Sequence, residues 1–216
     1  MCEPDHGFIE LNLCFRDYLR AHEEARLAYQ ALKYELLRDP ASFERGTHGF
    51  SKYTLEKDRF IKFILDQAGF AGLMVNFCMH EREWKAARTF RNKNLFDKIP
   101  MADPYTWTFE HKDHLHLVFY QGTNIIGYAH IQLWAEQRAA LRIIVIDDPL
   151  RGQGLGGHFL TLCERWLNQK GFKVLQTQAS PDAYPFYLKY GYREMPFNDP
   201  GGYESDPQDI DMGRVL

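Results

Sequence analysis

Glycines and one arginine, spaced to hold an anion, stand out near the middle of the chain. The stretch R-G-Q-G-L-G-G at 151–157 matches the dinucleotide fingerprint G-x-G-x-x-G, and it also contains R-x-x-G-x-G, which grips a pyrophosphate by other means. Glycines let the backbone approach a phosphate without a Cβ in the way, and a helix start offers unpaired N–H groups and a positive dipole end. The stretch predicts a pyrophosphate site, with a plain glycine turn as the simplest alternative.

The sequence around these glycines separates the ligand classes. The apolar run A-A-L-R-I-I-V-I-D at 139–147 predicts an interior strand before them, and an apolar stripe from Leu155 to Leu167 predicts a helix after them. A dinucleotide site needs an acidic residue about 20 residues on, but the next strand, F-K-V-L-Q-T-Q at 172–178, carries no carboxylate. No Gly-Lys-Ser/Thr occurs, which excludes a Walker loop. A dinucleotide oxidoreductase is therefore a distant alternative.

Two motifs together resemble a known family. The stretch L-R-I-I-V-I-D-D-P-L-R-G-Q-G-L-G-G-H-F-L at 141–160 resembles the acetyl-coenzyme A motif of the GNAT superfamily of N-acetyltransferases, whose signature is Arg/Gln-x-x-Gly-x-Gly/Ala. The stretch A-Y-P-F-Y-L-K-Y-G-Y at 183–192 is similar to the family's A-x-x-F-Y-x-K-x-G-F. The resemblance covers roughly 69–216. It implies an α+β fold with a mixed, mostly antiparallel sheet flanked by helices.

The resemblance implies acetyl-CoA as the acyl donor and a set of residues that hold it. The pantetheine arm would lie along the interior strand and the pyrophosphate on the glycine loop. Ser180 stands where many members of the family have an asparagine that holds the arm, so this contact departs from the family's pattern. The implied cofactor residues are Ile144, Val145, Ile146, Arg151, Gly152, Gln153, Gly154, Leu155, Gly156, Ser180, Ala183 and Tyr187.

The resemblance also implies direct attack of an amine on the thioester, without a covalent enzyme intermediate. A primary amine with a pKa of about 10 must first lose a proton. The backbone N–H of Val145 or Ile146 would then stabilise the oxyanion. Tyr187 corresponds to the family tyrosine that protonates the leaving thiolate; a packed aromatic is the plain alternative, and Tyr184 and Tyr190 are nearby candidates.

The general base is open at this point. Glu136, between two predicted strands, and Asp147, at the end of the interior strand, are carboxylates that we expect near the substrate. His130 is a further candidate. A chain of water molecules leading to several weak bases is an equal alternative.

Two other polar clusters have plainer explanations. His114 and His116 would share one face of a strand, and Cys78 and His80 could join them, but two histidines alone rarely complete a zinc site. We expect a polar turn there and no metal. A C-terminal acidic stretch predicts a solvated loop, or else a wall that attracts a cationic amine; its carboxylates are Glu194, Asp199, Glu204, Asp206, Asp209 and Asp211.

The elements before the glycine loop divide the chain in two. Residues 8–68 have helical periodicity, with a break at 39–53 and Thr54 as a candidate helix cap. Their sequence, F-R-D-Y-L-R-A-H-E-E-A-R-L-A-Y-Q-A-L-K and then K-Y-T-L-E-K-D-R-F-I, is similar to the C-terminal helices of the nucleotidyltransferase-like GrpB family. That family's catalytic portion lies upstream of these helices, and none of it occurs here.

We therefore predict a helical GrpB-like remnant at 1–68 without transferase activity, and an acetyltransferase domain at 69–216. The helical part would pack on the acetyltransferase or mediate formation of a homodimer. Within the second part, the sequence predicts strands at 73–77, 115–120 and 125–134 and a helix at 81–98.

Composition limits the partners and the compartment. The net charge of −3 gives no general attraction to nucleic acid or to an anionic membrane. No apolar run approaches the roughly 18 residues that a membrane span needs, and M-C-E-P-D-H does not resemble a secretory signal. The widely spaced cysteines predict reduced thiols in a cytoplasmic protein.

The sequence thus favours an N-acetyltransferase acting on a small-molecule amine or on a protein or peptide amine. The alternative is a non-catalytic sensor or scaffold that binds acyl-CoA. The acceptor is not identified, because loops that vary within a fold build its pocket.

Overall fold

A computed structural model of the protein describes residues 7–46, 49–96, 102–202 and 206–216. Three helices come first: α1 (Phe8–Ala21), α2 (Glu23–Arg38) and α3 (Lys52–Gln67), as the periodicity predicts. Aromatic side chains connect them, since the ring of Tyr29 on α2 lies 5.1 Å from that of Phe15 on α1 and 5.4 Å from that of Phe60 on α3. The side chain of Ser51 accepts the Thr54 N–H, so Ser51, and not Thr54, caps α3.

Seven strands form one sheet in the order β1-β2-β3-β4-β5-β7-β6. β4 and β5 run parallel, whereas β3–β4, β5–β7 and β6–β7 are antiparallel, which confirms the predicted mixed, mostly antiparallel sheet. The strands are β1 (Leu73–Phe77), β2 (His114–Gln121), β3 (Asn124–Leu133), β4 (Arg138–Ile146), β5 (Val174–Ala179), β6 (Arg193–Glu194) and β7 (Ile210–Val215).

The other helices are α4 (Glu81–Arg91), α5 (Leu155–Gln169) and α6 (Tyr184–Lys189). α4 ends earlier than the predicted Lys98 and continues as one π-helical segment, Asn92–Phe96. β2 and β3 are joined by only two residues, Gly122 and Thr123. Glycine is required at 122, because this residue adopts φ 59° and lies so close to the Phe70 carbonyl that a Cβ would have no room. The pattern did not predict β6, β7 or α6.

Contacts divide the chain into two compact units. The first comprises Met1–Thr89 and Val118–Ile126, and the second comprises Phe90–Leu117 and Gly127–Leu216. Besides the three helices, the first unit takes in β1, most of α4 and the tip of the β2–β3 hairpin; the domain boundary at residue 68 stays a prediction. In the second unit, α5 buries an apolar face in a core with residues of the sheet. Residues of this core that are 1% exposed or less include Ile131, Leu141, Phe159, Leu160, Leu167 and Leu175.

Candidate functional site

A cleft of about 460 Å³ opens at the carboxyl end of β4, within the second unit. One wall is the end of β4, the other is α6, and the glycine loop lies between them. The lining residues are Ile144, Val145, Ile146, Leu150, Arg151, Gly152, Gly154, Gly156, Ala183, Phe186, Tyr187, Lys189 and Tyr190. Residues from both sequence motifs therefore meet in one cavity.

The cleft exists because β4 and β5 separate. Their parallel pairing begins at Arg138 with Val174 and ends at Ala140 with Gln176. β4 remains paired with β3 as far as Ile146, while β5 follows β7 instead. Two strands that share a ladder at one end and part at the other leave a wedge-shaped gap between them, open to a ligand.

A β-bulge in β4 lies just past the end of its pairing with β5. His130 pairs with Ile143 and Ile131 pairs with Leu141, so Arg142 is an extra residue. Beyond the bulge, the Ile146 carbonyl accepts a hydrogen bond from the Arg151 side chain, and so it faces away from β3. Backbone groups alternate in direction along a strand. The Ile144 and Ile146 amides therefore face the gap, whereas that of Val145 faces β3.

The glycine loop presents unpaired amides. α5 begins at Leu155 after Gly154, which has φ 80° and provides no side-chain cap. Within the part of the chain that the structure describes, no backbone acceptor pairs with the N–H groups of 152–157. A Cβ added to Gly152 or to Gly154 would meet open space. The geometry is that of an anion site at the start of a long helix.

The last two glycines of the loop differ in their surroundings. A Cβ at Gly156 would make ordinary contacts, 3.6 Å from Phe186 and 3.7 Å from Ile146. A Cβ at Gly157 would overlap the Tyr190 ring, which occupies that space. Gly157 is therefore required for packing against α6, and its match to the dinucleotide fingerprint has this structural explanation.

Arg151 lies at the mouth of the cleft and is held in place. Its Nε donates to the Ile146 carbonyl at 3.1 Å and its Nη2 donates to Asn94 Oδ1 at 2.9 Å. Asp148 pairs with it at 2.8 Å, and Lys93 lies 2.7 Å from the other oxygen of Asp148. The two cations and the carboxylates of Asp147 and Asp148 thus form an exposed surface network beside the loop.

Tyr187 is buried at the wall of the cleft. Its ring packs edge-on against Phe186 at 5.1 Å and against Tyr192 at 5.2 Å. Burial raises the pKa of Tyr187 to about 12, and a hydrogen bond with Thr177 lowers that pKa in part. The hydroxyl therefore holds its proton at neutral pH. Tyr184, by contrast, hydrogen-bonds Glu194 and does not line the cleft.

Several predicted site residues lie elsewhere. Gln153, Leu155 and Ser180 do not line the cleft; the Gln153 side chain donates to Pro149, and the Ser180 carbonyl accepts from the first turn of α6. Asp147 follows β4 but caps the Asp148 N–H and pairs with Lys93. Glu136 is 83% exposed in the β3–β4 turn, with φ 58°. The whole of β4, at about 3.3 Å per residue, separates Glu136 from the cleft, which argues against a role as base.

His130 belongs to a buried network whose hydrogen-bond directions are fixed. The Arg91 guanidinium, paired with Asp103, can only donate, so His130 Nδ1 accepts from it at 3.3 Å. His130 Nε2 then carries the proton and donates to His114 Nδ1 at 2.8 Å. Burial holds the pKa of His130 well below its usual value. Neither ring nitrogen is free to accept a proton from a substrate, which argues against His130 as the base.

His116 forms a second branch beside His130. Its Nε2 donates to the Thr108 carbonyl at 3.1 Å, and its Nδ1 accepts from the Tyr128 hydroxyl at 2.7 Å. Burial lowers the pKa of His114 to about 4 and that of His116 to about 3. The described residues contain no group of three or more His, Cys, Asp or Glu side chains that could hold a metal ion. The histidines therefore form a neutral polar core.

The acidic C-terminal stretch is not one uniform wall. Asp199 pairs with Arg142, and Asp211 accepts from Gln178 and from the Phe197 N–H. Asp209 lies beside Asp206 and Asp211; burial and the charges of these two raise its pKa. Glu204 lies outside the described residues.

Two properties of the described segments lie outside the cleft. None of the helices in the described segments is both long and apolar enough to span a membrane. Cys14, Cys78 and Cys163 are free thiols. Among the residues that line the cleft, the prediction missed Leu150, Phe186 and Lys189 and named Tyr190 only as an alternative acid. Ala183, Phe186, Lys189 and Tyr190 are spaced three or four apart and thus share one face of the α6 turn, a signal already present in the second motif.

The comparisons agree with this geometry. The sequence profile of the Acetyltransferase (GNAT) family matches residues 79–192, and that of the GrpB protein matches residues 1–67. The search of curated proteins finds no match for this chain.

Solved structures of similar fold include an acetyltransferase of the GNAT family from Staphylococcus aureus Mu50. It is 15% identical, and the match spans 67% of this chain and 99% of that one, with a TM-score of 0.55. The ribosomal-protein-S18-alanine N-acetyltransferase from Escherichia coli is 18% identical over 66% and 93% of the two chains, with a TM-score of 0.52. Naa50 from Arabidopsis thaliana, in complex with the bisubstrate analogue CoA-Ac-MVNAL, is 14% identical over 67% and 99%, with a TM-score of 0.51.

These similarities establish the fold, and the profile covers more than half of the chain, including both motifs that meet in the cleft. The chain belongs to the acetyltransferase (GNAT) family.

Proposed function

We propose that the protein transfers an acetyl group from acetyl-CoA to a primary amine, by direct attack of the amine on the thioester. The observation that carries this proposal is the cleft itself, because it joins an open anion site at the start of α5 to a gap between β4 and β5. A pyrophosphate fits the first part, and an extended thioester arm fits the second.

In this proposal the cofactor is held by backbone more than by side chains. The pyrophosphate accepts from the amides of 152–156, with Arg151 adding positive charge. The pantetheine arm pairs with the gap-facing backbone of Ile144 and Ile146 as an added strand would. Ala183 and Phe186 line the opposite wall. Ser180 is not part of this set, since it does not line the cleft.

The reaction needs an oxyanion donor and an acid. We assign the oxyanion to a gap-facing amide, Ile144 or Ile146, in place of Val145, whose amide faces β3. Tyr187 gives its proton to the leaving thiolate. Asp147 remains a candidate base only through water, because its carboxylate pairs with Lys93; water leading to bulk solvent is the alternative route for the amine proton.

The experiment is a screen of amine classes with acetyl-CoA, reading the free thiol that is released. The amines include small amines, aminoglycoside-like compounds, peptide N-termini and lysine side chains. Release that depends on the amine supports the proposal. Calorimetric binding of CoA without transfer to any amine would instead support a non-catalytic acyl-CoA sensor, and the absence of both would overturn the two readings together.

A further inference from the structure

Asn94 contacts the glycine loop from the segment that follows α4. It lies in the π-helical segment Asn92–Phe96, a geometry that recurs at functional sites. Arg91, which is 1% exposed, anchors the chain just before this segment through its buried pair with Asp103 at 2.6 Å. Asn94 Oδ1 accepts from Arg151 Nη2 at 2.9 Å, a contact across 57 residues of sequence. A side chain of one element thus holds a cation of another.

The orientation of the Asn94 amide is fixed from both sides. A guanidinium can only donate, so the amide atom that faces Arg151 is Oδ1. Nδ2 of the same amide donates to the Phe90 carbonyl at 2.8 Å, and a carbonyl can only accept. The amide therefore cannot turn over without losing both hydrogen bonds.

Two acceptors on different elements orient the Arg151 guanidinium. Nε donates to the Ile146 carbonyl at the end of β4, at 3.1 Å, and Nη2 donates to Asn94. The remaining nitrogen, Nη1, donates no hydrogen bond within the described part of the chain. Asp148 also lies 2.8 Å from Nη2, but this pair is exposed and Asp148 is shared with Lys93. Exposed ion pairs contribute little, so Asn94 and Ile146 are the contacts that orient Arg151.

We infer that Asn94 is the positioning residue for Arg151, and that it holds Nη1 ready to donate to the pyrophosphate of CoA. This inference rests on the proposed function, in which Arg151 and the amides of 152–156 bind that group. A side chain that the protein already holds in place loses less rotamer freedom when a ligand binds. Without Asn94, cofactor binding must also order Arg151. The loss should therefore appear in the affinity for CoA and not in the chemical step.

The test is calorimetry with CoA on the full chain. We expect Asn94→Ala to lower CoA affinity about threefold to tenfold. In an Arg151→Gln background, the same change should alter the affinity by no more than about twofold, because the group that Asn94 positions is gone.

Asn94→Ser separates the two hydrogen bonds of the amide. A serine hydroxyl can still donate to the Phe90 carbonyl, as the Thr89 hydroxyl donates to Lys85 four residues back at 2.9 Å. It is too short to reach Arg151. Asn94→Ser should therefore lose as much CoA affinity as Asn94→Ala, and it takes the place of Asn94→Ala if that variant does not fold.

Asn12→Ala is the matched control. Asn12 donates to the Phe8 carbonyl four residues back at 2.7 Å, as Asn94 does to Phe90, but it lies in the other compact unit. Its removal should leave CoA affinity unchanged. With the amine found in the screen, Asn94→Ala should raise the KM for acetyl-CoA as much as it weakens CoA binding, with kcat within about twofold of the wild type.

The outcomes separate the inference from the proposed function. Equal losses of CoA affinity with and without Arg151 would mean that Asn94 acts through the fold of its own segment, which overturns the inference. Full affinity in Asn94→Ala or Asn94→Ser, or a loss in kcat alone, would overturn it as well. A wild-type chain that binds no CoA would overturn the proposed function and the inference together. If the wild type binds CoA but transfers to no amine, the proposed transfer fails and calorimetry still decides the role of Asn94.

Discussion

Lys62 Nζ lies 2.5 Å from Glu83 Oε1 in the first compact unit, and Glu83 is only 1% exposed. Asp58 approaches the same ammonium at 2.8 Å, and the Tyr120 hydroxyl donates to Glu83 at 2.6 Å. Burial alone would raise the pKa of Glu83, but Lys62 and the hydrogen bonds outweigh it and hold that pKa below its usual range. Lys62 lies in the segment that matches GrpB, and Glu83 lies in the segment that matches the acetyltransferase family.

Lys62→Met should therefore destabilise the first unit strongly. The substitution leaves the buried Glu83 without its cation, and such changes lower the free energy of unfolding by about 3–5 kcal/mol. Denaturant unfolding measures the loss. The double variant Lys62→Met/Glu83→Gln should recover part of it, because the uncompensated charge is gone. A loss below about 1 kcal/mol, the range of exposed pairs, would show that the two segments are not coupled through this pair.

Comparing Gly154→Ala with Gly171→Ala should distinguish a loss of cofactor binding from the effect of backbone strain. Gly154 and Gly171 both have strongly positive φ, 80° and 88°, and an added Cβ meets no atom within 4 Å at either position. Alanine at either site should lower stability by about 1–2 kcal/mol. Only Gly154→Ala places a methyl group over the unpaired amides at the start of α5.

Calorimetry with CoA checks this pair. We expect Gly171→Ala to bind CoA as the wild type does and Gly154→Ala to lose affinity by about tenfold or more. Gly156→Ala should keep both stability and binding, since its Cβ makes only ordinary contacts and the family motif accepts alanine there. Equal affinity in all three variants would remove the glycine loop from the pyrophosphate site.

Tyr187→Phe should lower kcat about tenfold or more, a typical effect of losing a general acid. CoA affinity should change little, because the ring and its packing against Phe186 and Tyr192 remain. Tyr184→Phe is the control, since the Tyr184 hydroxyl binds Glu194 away from the cleft. Steady-state and binding measurements on the two variants decide the matter; if both lose turnover to the same extent, the acid assignment fails.

Stability should fall as the pH is lowered from about 6.5 to about 4. Burial depresses the pKa of His114 to about 4 and that of His116 to about 3, from an ordinary 6.5. In that window the unfolded chain binds protons that the folded chain does not, so acid favours unfolding, with a slope of about 1.4 kcal/mol per pH unit for each histidine. Above pH 6.5 these two residues contribute no slope.

Urea unfolding at several pH values measures this dependence. His116→Gln should reduce the slope below pH 6.5, and the same substitution at the exposed His22 is the control. An unchanged slope in His116→Gln would mean that the buried network takes up protons without unfolding.

Local periodicity and the two motifs were enough to predict much of the fold. The three N-terminal helices and β1 lie where their apolar patterns indicate, because each has a regular repeat of its own. β7 and the two-residue β6 were missed. Ile210–Val215 becomes a strand through its pairing with Val174–Ala179, and pairing between distant segments leaves little trace in either one alone.

The candidate site, too, was predicted where a motif covers it and was mispredicted where the folded chain decides the position of a residue. The cleft brings Ile146, Gly154 and Tyr187 together, and the two motifs had already grouped these residues. Glu136 and His130 were chosen for their chemistry and their nearness in sequence. The length of β4 removes the first from the cleft, and the fixed hydrogen bond from Arg91 occupies the second. Residue type does not reveal at which end of a strand a residue lies. It does not reveal the direction of a buried hydrogen bond either.

At the extra residue in β4, the backbone groups that face β5 change from those of odd-numbered to those of even-numbered residues. Before Arg142, odd-numbered residues turn their backbone groups toward β5, as the Leu141 carbonyl does; after it, even-numbered residues do so. Removing Arg142 would leave these directions unchanged, because Leu141 and Ile143 would then alternate as neighbours in a regular strand. The extra residue acts on the course of the strand instead. It comes two residues after Ala140, the last residue of β4 that pairs with β5, and a bulged strand bends at its extra residue. β4 therefore bends just past the point where its pairing with β5 ends.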